Sequence, residues 1–173
     1  WAFIPPKNQL PDRSAESNEI DFFLNKAIFR NGLRVAREAD KNSLIRRVSY
    51  LLTGLPPTTQ ELERYLSDND PDAYEKMVDQ YLNSPRYGEK WARHWMDVWR
   101  YSDWDGYADE VRESQPNIWR WRDWIVDSLA ADKPYDQMVR EMLAADELAP
   151  TDPDALRATG FLVRHWFKFN RNV

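Results

Sequence analysis

The chain is 173 residues long with a formal net charge of −5, and 42% of its residues are apolar and 14% aromatic, nine of them tryptophan. That length fits one domain with a core of its own, and 31% charged residues with only five glycines argue against low-complexity disorder. The absence of cysteine excludes disulfides, thiolate zinc sites, Cys-ligated iron–sulfur clusters and attachment of a c-type haem within this chain.

From Trp1 to Pro11 there are three prolines and no helical period. Residues 1–18 therefore read as an extended arm, with Trp1, Phe3 and Ile4 packing onto the body, ahead of a helical domain over 19–173. Glu19 to Asn31 places Ile20, Phe23, Leu24, Ala27 and Ile28 at helical spacing, with Asn18 as cap and Gly32 past the end. Asp40 caps a second helix from Lys41 to Thr53, which Gly54 and Pro56-Pro57 close. Thr58-x-x-Glu61 is a capping-box pattern opening a helix to about Ser67. Asp70-Pro71, Ser84-Pro85, Lys133-Pro134 and Asp152-Pro153 each place proline where a helix begins, a position at which its missing N–H costs nothing. The first of these opens a helix to Asn83 and the second one to about Tyr101; a further helix runs from about Pro116 to Ala131. The sum is an all-α single domain of seven to eight helices with short Pro/Gly connections and a Trp-rich core.

Tyr87, Trp91, Trp95 and Trp99 recur every four residues along one side of the fifth helix, and Ile118, Trp121, Ile125 and Leu129 mark the sixth, with Trp119 and Trp124 beside them. Rings of this size dominate core energetics, so packing is the first reading of them; walls of a flat ligand or haem pocket, or sugar stacking, is the other. Arginines threaded among them pair with Asp97, Asp123 and Asp127 or stack on rings. Nucleic acid is not an expected partner, because phosphate affinity rests on positive charge and this chain is acidic. No apolar run approaches the roughly 18–20 residues that a membrane-spanning helix needs, so no membrane span is expected.

The two histidines are His94 and His165. Each reads either as a packed imidazole or as an axial ligand or general base; no His-x-x-x-His pair exists for zinc on one helix. The loop from Ser102 to Glu110 gathers Asp103, Asp105, Asp109 and Glu110 around Gly106. Its spacing fails the calcium loop, since Tyr107 stands where an acidic ligand is needed. Asp103 and Asp105 remain a candidate carboxylate pair for acid–base work, against the plain reading of a solvated turn. No Gly-x-Ser-x-Gly, P-loop or dinucleotide fingerprint occurs.

The run Leu44-Ile-Arg-Arg-Val-Ser-Tyr-Leu-Leu-Thr-Gly-Leu-Pro-Pro-Thr58 resembles a segment of the planctomycete-type cytochrome C domain family. So do Asp72-Ala-Tyr-Glu75, Ser84-Pro-Arg-Tyr-Gly-Glu-Lys-Trp-Ala-Arg-His-Trp95, Arg100-Tyr-Ser-Asp103, Asp105-Gly-Tyr107, Trp119-Arg-Trp-Arg-Asp-Trp124, Asp132-Lys-Pro-Tyr-Asp136 and Ala158-Thr-Gly-Phe161, in the same order. The family pattern continues into a Cys-x-x-Cys-His segment, so the resemblance implies the haem-free N-terminal part of such a domain, truncated at its C-terminal end. It implies a haem c in the full-length protein. Beside it, the residues themselves make Arg93, His94, Trp95 and His165 candidate cofactor-binding residues and Asp103, Asp105 and Tyr107 candidate substrate-binding residues. The resemblance further implies an exported, periplasmic or cell-surface protein serving electron transfer or oxidation of an extracytoplasmic, carbohydrate-like substrate. The expected partners are the rest of its own polypeptide or another subunit, with a glycan or redox partner. The alternative is a non-catalytic carbohydrate-binding or protein-interaction module.

Overall fold

A computed structural model describes residues 4–5, 18–105, 113–114 and 117–163. The chain divides into two compact units, Trp1–Ala39 and Asp40–Val173, and the described residues are all-α apart from one two-residue strand pair. In the first unit Ile4 is exposed; Trp1 and Phe3 lie outside the described residues. Helix α1 spans Glu19–Arg30. Asn18 Oδ1 accepts from the Ile20 N–H at 2.8 Å, and the chain turns out through Gly32 at φ +69°, where a side chain would be strained.

The second unit begins with α2, Lys41–Thr53. Asp40 accepts from the Ser43 N–H at 2.8 Å, and Gly54 closes the helix in the left-handed region, its N–H on the Tyr50 carbonyl. Helix α3, Thr59–Ser67, carries the expected capping box: Glu61 accepts from the Thr58 N–H at 2.7 Å and Thr58 Oγ1 from the Glu61 N–H at 3.3 Å. Helices α4 (Ala73–Leu82) and α5 (Pro85–Val98) follow. β1 (Trp104–Asp105) then pairs antiparallel with β2 (Glu113–Ser114). Next come α6, Trp119–Ala130, and α7, Tyr135–Leu148. A broken helical segment comes last: α8 at Pro153–Leu156, a 3₁₀ turn at Arg157–Thr159 and α9 at Gly160–Val163.

Three expected helix starts move: the one expected at about Pro116 moves to Trp119, and the other two shift at Pro71 and Pro134. Pro71 and Asp72 form a turn, closed by the Ala73 N–H on the Asp70 carbonyl at 3.1 Å, so α4 begins two residues after Pro71. Pro134 sits at the cap of α7 in an extended conformation, ψ 137°, instead of inside its first turn. Both prolines close the preceding segment as much as they open the next helix.

The core of this unit has two parts. Ile45, Val48, Tyr65, Ala73, Met77 and Tyr81 join α2, α3 and α4. Ala92, Trp99, Trp121, Trp124, Ile125 and Met138 lead the second, which joins α5, α6 and α7 and is closed by Ala158. Between α5 and α6 the backbones come close: a Cβ on Gly88 would lie 2.7 Å from the Val126 carbonyl oxygen and 2.9 Å from Ala130 Cβ. At Gly160 a Cβ would lie 2.5 Å from Trp121 Cβ. These two glycines are therefore small because of the atoms that lie against them.

Three contacts between distant residues lock the helices together. Lys90 of α5 donates to the Tyr50 and Leu51 carbonyls at 2.6 and 2.5 Å, where it joins the Gly54 N–H on Tyr50 and satisfies the Leu51 acceptor in the last turn of α2. Arg157 pairs with Asp127 at 2.9 Å. Lys133, half-buried, pairs with Glu141 at 2.6 Å and lies 5.0 Å over the Trp124 ring. Burial pushes the Glu141 carboxyl up, but hydrogen bonds from Lys133 and Gln137 outweigh it and hold its pKa below the usual 4.5. A depressed folded pKa gives stability that is full above the unfolded value and lost as pH falls through the folded one. Glu141→Gln is therefore expected to lower stability at pH 7 by about 1–3 kcal/mol and to flatten its decline between about pH 5 and pH 3, read by urea denaturation across that range. Equal slopes in the two proteins would refute this.

Candidate functional site

The residues that the sequence singles out lie along the second half of α5 and just beyond it. The inward face of that helix is set by Gly88, Ala92 and Trp99, which are buried, with Trp95 half-buried beside them. Trp95 stacks on Trp99, ring centroids 4.9 Å apart at 29°, and its ring is also 5.3 Å from that of Tyr135 at the start of α7. Tyr135 is 56% exposed, so this aromatic row runs from the core to the surface. Arg93 and His94 are exposed. The His94 ring lies 5.4 Å from that of Trp91, tilted at 56°.

After Val98 the chain reverses through Arg100, held at φ +56°, while the Tyr101 N–H bonds the Met96 carbonyl at 2.8 Å. This turn carries Tyr101 into the core against Trp121, ring centroids 5.8 Å apart. The Tyr101 hydroxyl donates to Asp103 Oδ1 at 2.7 Å; burial, then this carboxylate, push the phenol well above its usual value. Asp103 is thus an exposed carboxylate with a fixed donor. Asp105 contributes its backbone to β1; its side chain, Tyr107 and His165 lie outside the described residues. The site therefore shows one carboxylate of the candidate pair.

The fit to haem can be tested on these residues. An axial imidazole works where protein excludes water and tunes the iron through burial and hydrogen bonding. His94 is exposed, and the Trp99 and Tyr135 rings lie against Trp95. Among the described residues, Arg93, His94 and Trp95 do not enclose a haem pocket. Among the described residues no cluster of three or more His, Asp or Glu could hold a metal ion, and no helix is long and apolar enough to cross a membrane.

A hollow of about 130 Å³ opens between α3 and α4, with Ile45, Tyr65, Met77 and Tyr81 below and Glu61 and Arg64 at its rim. Only a few waters fit, at about 30 Å³ each. Burial pushes the Tyr81 phenol up, partly offset by the Ser49 hydroxyl. The sequence gives no sign of this hollow, because its walls come from three helices whose crossing no local pattern specifies.

No curated protein and no solved structure matches the chain. A family model does: PSCyt2, described as a protein of unknown function (DUF1549), aligns with residues 19–172. That span runs from the first turn of α1 through α9 and takes in both halves of the aromatic core and the α5 site, so the chain belongs to this family.

Proposed function

We propose that this chain is a non-catalytic helical interaction module of an exported, redox-associated protein. The observation that carries the reading is how its reactive groups are placed. His94 and Arg93 are exposed, Asp103 is engaged by Tyr101, and Trp99, Trp121 and Trp124 are buried in packing. Meanwhile large apolar side chains such as Leu24, Leu51, Leu143 and Leu148 stand exposed, as surfaces that meet partners do. Export and the redox setting rest on the family resemblance. In this reading haem-linked electron transfer belongs to other residues of the protein, since a c-type haem needs the thiols this chain lacks.

Titration of the purified chain with free haem tests the proposal. Only weak, non-stoichiometric binding is expected, with the same spectrum in the His94→Ala variant. A one-to-one low-spin spectrum that His94→Ala abolishes would overturn the module in favour of an electron-transfer shell. A second reading, carbohydrate contact, is favoured by the exposed Tyr135 ring backed by Trp95, since aromatic faces stack on apolar sugar faces. It predicts a saturable change in tryptophan fluorescence with soluble oligosaccharides that Tyr135→Ala removes.

A further inference from the structure

Helix α1 ends in a Schellman motif. Gly32 stands just past the Asn31 cap in the left-handed region, φ +69°. Its N–H donates to the Phe29 carbonyl at 3.0 Å, and the Leu33 N–H donates to the Ile28 carbonyl at 3.1 Å. The Asn31 side chain joins the same cap, its Nδ2 donating to the Ala27 carbonyl at 2.8 Å. The motif asks for glycine at position 32, and that choice creates the one Asn-Gly pair in the sequence. Such a pair carries a chemistry of its own. Without a β-carbon on the second residue, little obstructs attack of its backbone nitrogen on the asparagine side-chain amide.

The step is an acyl substitution. Gly32 N gives its proton to hydroxide or another base and bonds to Asn31 Cγ, while the Cγ–Nδ2 bond breaks and ammonia leaves with a proton from water. The succinimide ring so formed takes up one water. Opening at Cγ gives aspartate, and opening at the backbone carbonyl gives isoaspartate, whose main chain runs through the side-chain carbon. In the closed cap both reactants are engaged, Nδ2 on the Ala27 carbonyl and the Gly32 N–H on the Phe29 carbonyl. The reaction therefore waits for the last turn to open, as helix ends do. Asn83–Ser84 is the internal comparison. Asn83 caps α4 with the same side-chain bond, to the Asp79 carbonyl at 2.8 Å, but Ser84 at once caps α5, so a helix holds this pair on each side. After Leu33 no helix begins until Lys41.

We propose that Asn31–Gly32 is a site of spontaneous deamidation, gated by opening of the α1 cap, and that the product cannot rebuild that cap. Aspartate lacks the donor that Ala27 receives and sets a negative charge at the helix end where carbonyls already point. Isoaspartate adds a backbone carbon, which breaks the spacing on which the Gly32 and Leu33 bonds depend. The conversion thus releases the end of α1 in one direction only.

Incubation of the whole chain at mildly alkaline pH, followed by peptide mapping by mass spectrometry and enzymatic methylation of isoaspartate, tests it. Aspartate and isoaspartate are expected at residue 31 and, over the same period, not at residue 83. Conversion of the native chain is expected to be about tenfold slower than in unfolding urea, since at least one net hydrogen bond holds the reactants apart. Leu33→Pro removes the N–H that the motif needs and is expected to bring the native rate to within about threefold of its own rate in urea. In the converted chain the Gly32 and Leu33 amides are expected to exchange with deuterium faster than before. A native chain that stays unconverted while the urea-treated chain converts would overturn the proposal. So would equal wild-type rates in the two states, a Leu33→Pro ratio matching that of wild type, equal conversion at residue 83, or unchanged protection of the two amides after conversion.

Discussion

Trp121→Ala is expected to be the most destabilising side-chain truncation in the chain. Its indole is 1% exposed, lies 5.8 Å from the rings of Tyr101 and Phe161, and rests on Gly160, where even one added carbon would come within 2.5 Å. Truncation removes the indole and leaves a cavity that three separate segments line, the turn after α5, α6 and α9. Such sites collapse poorly, and large aromatic deletions cost about 3–5 kcal/mol. For a chain of this length that lowers the melting temperature by about 10 °C or more. The buried indole Nε1 has no hydrogen-bond partner among the described residues. Trp121→Phe, which keeps most of the volume and removes that donor, is therefore expected to recover much of the loss. Calorimetry of the three proteins checks this; equal losses for Ala and Phe would mean that the indole nitrogen, not the volume, matters.

Gly88→Ala is the second large effect, and it acts by addition. The new methyl would meet the Val126 carbonyl oxygen at 2.7 Å and Ala130 Cβ at 2.9 Å, so α6 as a whole has to move away from α5. Neither atom belongs to a flexible side chain that can swing aside. Inserting a carbon into a packed contact costs about 1–3 kcal/mol, and the upper end applies because the obstacle is backbone. Within an isolated helix the same change is favourable by up to about 1 kcal/mol, so the sign of the measured effect separates helix propensity from helix packing. A stabilised Gly88→Ala protein would show that α5 and α6 do not approach as described.

How much of this was legible in the sequence depends on whether the cause was local. The cap at Asp40, the box at Thr58 and Glu61, Gly54 and Ser84-Pro85 all act within one turn of chain, and α2, α3 and α5 begin where those residues place them. Asp70-Pro71 and Lys133-Pro134 carry a similar signature, yet each helix starts later, because proline fixes φ without fixing whether the next residues turn or coil. On α5 the four-residue spacing of Tyr87, Trp91, Trp95 and Trp99 finds the correct side only in part. Closest approach is decided by Gly88 and Ala92, which let α6 near, and Tyr87 and Trp91 form a half-buried shoulder. His94 falls on the outer side of that shoulder, which is why a pattern centred on the rings makes it a pocket residue and the fold leaves it exposed. The Lys90, Arg157 and Lys133 contacts join residues 8 to 40 apart, and no local spacing announces them.

The central claim is that the described part of the Asp40–Val173 unit is an indole-packed helical scaffold ordered by its own side chains. Near-ultraviolet circular dichroism of the purified, haem-free chain during thermal unfolding addresses this most directly, because it reports fixed aromatic packing where far-ultraviolet signal reports only helix. Strong aromatic bands that vanish together with the helical signal in one cooperative transition are predicted. A helical chain without near-ultraviolet bands, acquiring them only when haem is added, would contradict it.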